Sequence, residues 1–170
     1  QISGTSYVER RRREREEAAN SITLFSGDCY VTGEAGKVIV TILGSCVAAC
    51  MHDPVARVGG MNHFLLPENP DMDVRHSTEA TRYGAYAMEQ LINGIIQLGG
   101  MKSRLEVKVF GGGHVSDHSA RIGDRNVAFV RAFLEAEKLS ILSEDLGDTY
   151  PRRVRYYPDT GKAMLLKLRR

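Results

Sequence analysis

The chain opens on a stretch with almost nothing to bury. Residues 1 to about 20 contain the run Glu9-Arg10-Arg11-Arg12-Arg13-Glu14-Arg15-Glu16-Glu17, which predicts a solvated helical arm outside the folded domain. From about Ser21 the pattern changes to short apolar runs broken by Gly, Pro and Asp, a β-rich signature. Strands are expected over residues 22–25, 29–32, 37–43 and 47–52, and beyond Asp53-Pro54 over 58–66, up to Pro67. Glu68 to His76 is polar and reads as loop. Between Thr78 and Leu98, the residues Ala87, Leu91, Ile95 and Leu98 recur at helical spacing, and Gly99-Gly100 stops the helix. A strand over 105–110 runs into Gly111-Gly112-Gly113, Asp124 can cap a second helix to about Glu137, and 154–157 with 163–166 form a terminal hairpin. Together these elements make one α+β domain over residues 21–170, several strands with two surface helices.

Composition narrows the class. A chain of 170 residues suits a single core. Its 23 Lys+Arg against 21 Asp+Glu leave a net charge of +2, without the basic excess of a nucleic-acid binder. No apolar run is long enough for a membrane span, and the N-terminus lacks the apolar core of a signal peptide, so a cytoplasmic protein is expected. Cys29, Cys46 and Cys50 are an odd set that cannot all pair, which favours thiols over disulfides.

The chemistry concentrates between Leu43 and His63. Asp53-Pro54 suits the first two positions of a type I turn. A hairpin closed from Asp53 to Ala56 would place Cys46 directly opposite His63 on one sheet face, within reach of a hydrogen bond. The imidazole would then take the thiol proton and stabilise the thiolate as an ion pair. If Cys46 instead opened a short helix, the helix N-terminus would itself lower the thiol pKa. Thr41 or Asn62 are the polar residues that could orient the imidazole. Gly44-Ser45 supplies a turn of little bulk, and Ser45, Asn62 and Gly112 are the candidates for substrate or oxyanion contacts. A zinc site from Cys46, Cys50, His52 and His63 is disfavoured by the ligand spacing, so no metal or cofactor is expected. Cys29 and Cys50 read as structural thiols. His114 and His118 read as loop residues without a third ligand. Gly111-Gly112-Gly113 lacks the Lys of a phosphate loop, and close backbone approach, to a strand or to a substrate chain, is the better reading.

Several ordered blocks carry a resemblance. Leu43 to Ala48, Asp53-Pro54, Gly59 to Pro67, Arg82-Tyr83-Gly84, Val109 to Gly112, Ile122 to Asn126 and Glu144 to Gly147 closely resemble the signature of the CheD family. The likeness covers about residues 21–168. It implies a three-layered α/β sandwich and a Cys-His-Thr triad falling on Cys46, His63 and Thr41. It further implies hydrolysis of glutamine side-chain amides, and in some members of glutamyl methyl esters, on methyl-accepting chemotaxis receptors. A CheC-type phosphatase is an implied partner. Gly111-Gly112-Gly113-His114 departs from the Gly-Gly-Ala pattern common in that family.

Overall fold

A computed structural model describes residues 6–68 and 78–169, so the expected loop beyond Glu68 lies outside the described residues. The charged arm forms α1 (Tyr7–Ala19), opened by a Ser6 capping box with Glu9 and burying none of its residues. Among the described residues, nine strands and two further α-helices follow: β1 (Ser21–Thr23), β2 (Cys29–Thr32), β3 (Val38–Leu43), β4 (Val47–Asp53), β5 (Val58–Asn62), α2 (Thr78–Gln97), β6 (Glu106–Gly111), α3 (Ala120–Ala136), β7 (Ile141–Leu146), β8 (Arg152–Tyr157) and β9 (Lys162–Lys167).

The strands divide into a four-stranded sheet, ordered β1-β3-β8-β9, and a five-stranded sheet, ordered β2-β5-β4-β6-β7. Alternation along β4 shows how they stack. Val47, Ala49 and Met51 face α2 and α3, packing with Phe64, Leu91 and Phe129. Ala48 and Cys50 face the other sheet, packing with Ile39, Leu43, Val154 and Tyr156. Helices, sheet and sheet thus form three layers around two apolar seams, in agreement with the α+β expectation.

Two elements depart from the sequence reading. α3 starts at Ala120 rather than at Asp124, and β7 was not expected at all. Only the first two residues of Ile141-Leu142-Ser143-Glu144 are apolar, and β7 is an edge strand that pairs in parallel with β6. A strand with one neighbour and a largely exposed face leaves little alternation to read.

Candidate functional site

β3 belongs to one sheet and β4 to the other, so the three residues between them, Gly44-Ser45-Cys46, form the crossover. Cys46 therefore sits where the sheets meet. Its side chain packs, half-buried, on the seam between them.

The β4–β5 hairpin differs in register from the expectation. Asp53 pairs with Val58 and Cys50 with Met61, and an isolated bridge joins Val47 to Phe64. The loop contains four residues rather than two, because Arg57 adopts φ 57° and its amide returns to the Asp53 carbonyl at 2.8 Å. His63 is consequently diagonal to Cys46, not opposite it. The shift is two residues, and a slip by an even number leaves both side chains on the same face.

His63 directly follows β5 and is buried. Two backbone bonds tie it to the turn Phe25-Ser26-Gly27-Asp28: the Gly27 amide donates to its carbonyl at 2.8 Å, and its own amide donates to the Asp28 carbonyl at 3.0 Å. The turn has Gly27 at φ 94° in its third position, as a type II turn requires. Thr41, fully buried on β3, reaches across the seam to within 2.7 Å of His63 Nδ1. The Thr41 hydroxyl also donates to the Leu24 carbonyl at 2.7 Å. It has one proton, so Nδ1–H must be the donor to Thr41, leaving Nε2 with the lone pair.

Burial raises the Cys46 pKa, against the opposing pull of the Ser26 hydroxyl and the Cys46 amide. Burial lowers that of His63, against Asp28 and the Leu24 carbonyl. Both shifts favour the neutral thiol and the neutral imidazole over their charged forms. Ser26 and Asp28 are not among the sequence candidates, although Ser26-Gly27-Asp28, between two expected strands, carries a turn signal.

The Gly-rich segment braces the crossover. The Gly112 amide donates to the Cys46 carbonyl at 2.8 Å, and the Gly113 amide to the Gly44 carbonyl at 2.9 Å. A Cβ on Gly111, at φ 110°, would lie 2.2 Å from the Cys46 carbonyl oxygen. Gly112 thus holds the Cys46 loop, and its amide is not open to an oxyanion. Behind it, buried Arg152 bonds Asp145 at 2.8 Å and the Gly147 carbonyl at 2.6 Å. Asn126 of α3 clamps both sides of the site: its amide nitrogen donates to the Ser45 carbonyl at 2.8 Å, and its oxygen accepts from the Leu66 amide at 3.0 Å.

Asn62 is not part of the constellation. Its side chain lies on the helix side, accepting from the Ala49 amide at 2.8 Å and donating to the Ala87 carbonyl at 3.1 Å. Of the two residues considered for orienting the imidazole, only Thr41 reaches it. Cys50 is wholly buried and its pKa is pushed far up, while burial pushes Cys29 up to about 11. The His52 ring contacts the Pro158 carbonyl at 2.8 Å, and His114 contacts Asp124 at 2.6 Å. Among the described residues, no three His, Cys, Asp or Glu side chains form a metal-binding group. A cleft of about 560 Å³ runs from His63 and Thr41 past Ser26 to Ile42 and Arg155, with Glu17 of α1 in its wall.

Comparison with known proteins bears on the whole chain. A Rhodopseudomonas palustris protein named "Probable chemoreceptor glutamine deamidase CheD" is 51% identical over 95% of this chain and 76% of its own length. A Burkholderia thailandensis relative of the same description is 51% identical over 87% of this chain, which spans 64% of that protein. A solved Neisseria meningitidis protein overlaps 88% of this chain and 74% of its own at 12% identity and a TM-score of 0.47, too loose to bear on fold or function. The family model for CheD chemotactic sensory transduction matches residues 65–167, beginning just after His63. With this match over more than half its length and half its residues shared with such relatives, the chain belongs to the CheD family.

Proposed function

We propose that this protein deamidates glutamine side chains on chemoreceptors, through a thioester on Cys46. The observation that carries the reading is the Thr41–His63 contact at 2.7 Å, on the seam that also receives Cys46. The family and the names of its relatives supply the substrate class.

On this reading His63 Nε2 takes the thiol proton as Cys46 Sγ attacks the carboxamide carbon. The proton passes to the departing nitrogen, ammonia leaves, and the thioester forms. A water deprotonated by His63 then adds to the thioester carbonyl, Sγ leaves and recovers its proton, and glutamate is released. Thr41 keeps the Nδ1–H tautomer through the cycle and spreads the charge of the transient imidazolium. The Cys46 amide, near its own sulfur, and Ser45 are the groups suited to meet the developing oxyanion. The same steps would cleave a glutamyl methyl ester, with methanol leaving in place of ammonia.

Among the described residues no helix is long and apolar enough to cross a membrane, which is compatible with work in the cytoplasm on receptor signalling helices. A CheC-type phosphatase is the further partner proposed. Purified protein incubated with a receptor cytoplasmic fragment should release ammonia and raise the fragment mass by about one dalton per site. Equal turnover by Cys46→Ala would sink the mechanism.

A further inference from the structure

Among the described residues, part of one face of the sandwich stays exposed. α2 and α3 pack on strands of the five-stranded sheet, which covers the inner face of the four-stranded one. The outer face of the four-stranded sheet exposes Ile42 by 54%, Met164 by 45% and Leu166 by 54%. The pairing orders these residues around two arginines. Ile42 lies beside Arg153 and Arg153 beside Leu166; one step along, Val40 lies beside Arg155 and Arg155 beside Met164. Each row is thus apolar, cationic, apolar. The face is continuous with the cleft lined by His63 and Thr41, which Val40, Ile42, Arg153 and Arg155 also line.

The geometry points to a docking surface for the helix that carries the substrate glutamine, an inference that rests on the deamidase reading above. Arg153 and Arg155 alternate along one strand and stand about 7 Å apart. With Arg155 held by Glu17, an amphipathic helix can offer a carboxylate to Arg153 while its apolar residues cover Ile42, Met164 and Leu166. Arginine and methionine set among apolar side chains are also the composition that protein interfaces favour. The molecule already contains a small example of the match. Glu17, a carboxylate on a helix, is bonded to Arg155 and accepts from the Tyr157 hydroxyl at 3.0 Å, and Glu14, one turn earlier, lines the same cleft. α1 is therefore a side wall of the docking surface, and the substrate helix takes the face beside it, delivering its glutamine to His63 and Cys46.

The test is steady-state deamidation of a purified receptor cytoplasmic fragment by the full chain and by its Arg153→Glu and Ile42→Asp variants. KM should rise about tenfold in each variant with kcat within twofold, and the rate of Cys46 alkylation by iodoacetamide should not change. Added salt should weaken the wild type more than Arg153→Glu. Unchanged KM in both variants would overturn the docking surface. If the wild type releases no ammonia, the deamidase reading fails first. Fluorescence anisotropy of the fragment on Cys46→Ala protein then decides the surface alone: weaker binding with Arg153→Glu supports it, and equal binding overturns it. A dimer in sedimentation that Ile42→Asp dissociates, with KM unchanged, would assign the face to a second copy and overturn the proposal as well.

Discussion

Because the Thr41 hydroxyl gives its single proton to the Leu24 carbonyl, it can only accept from His63, which leaves the lone pair on Nε2. Thr41→Val removes that acceptor at nearly constant volume. It should cost about 10²-fold in kcat, with Thr41→Ser recovering most of the loss; equal activity of the valine variant would remove Thr41 from the mechanism. The pH behaviour belongs to the same two side chains. Burial lowers the His63 pKa, so neutral imidazole persists below the ordinary histidine range, and the acid limb of kcat/KM should lie below about pH 6.5. Burial raises the Cys46 pKa, so alkylation should still be climbing above about pH 8.5. Alkylation that is already at its plateau at pH 6 would instead indicate a resting ion pair. Ser26→Ala should push the alkylation curve further up in pH.

At the scale of the element, the β4–β5 hairpin sets where His63 falls, and Asp53 sets the hairpin. Its buried carboxylate caps the Val55 and Ala56 amides at 2.9 and 3.1 Å, and it is bonded to the Met101 amide and to Arg104. Burial opposes the charge, but the Arg104 guanidinium and the three amides outweigh it and hold the carboxyl well below the usual carboxylate range. A carboxyl with a lowered folded-state pKa contributes stability that is fully present above about pH 4 and is lost as pH falls toward the folded-state value. Asp53→Asn should therefore cost about 3 kcal/mol at neutral pH and give a shallower fall of melting temperature between pH 5 and 2. Parallel melting curves for both proteins across that range would contradict this role.

Across the whole molecule, each layer contributes to the site. Thr41 comes from the four-stranded sheet, His63 from just past β5, Cys46 from the crossover, and Asn126 from the helix layer. Asn126 of α3 holds the Ser45 carbonyl, beside Cys46, and the Leu66 amide, three residues after His63. Asn126→Asp keeps the acceptor for Leu66 but sets two acceptors against each other at Ser45. It should lower kcat more than it raises KM and slow Cys46 alkylation, and Asn126→Ala should do both more strongly. A melting shift with unchanged alkylation would reduce Asn126 to a packing role.

Much of this was legible in one dimension. Alternating strands, the two amphipathic helices and the Gly-rich turn follow from local periodicity and backbone preference, and so does the presence of Cys46 and His63 on one face, because facing depends only on parity. The register did not follow. Whether Asp53 closes a loop of two or four residues depends on Arg57 taking a positive φ, and on Asp53 meeting Arg104 and Met101 from a distant segment. β7 needed β6 beside it to become a strand. Between Thr41 and Asn62, parity already excludes Asn62, which directly precedes His63 and so faces α2; that Thr41 meets the imidazole was tertiary, because it comes from the other sheet. Local chemistry determined which groups were present; long-range packing decided which of them meet.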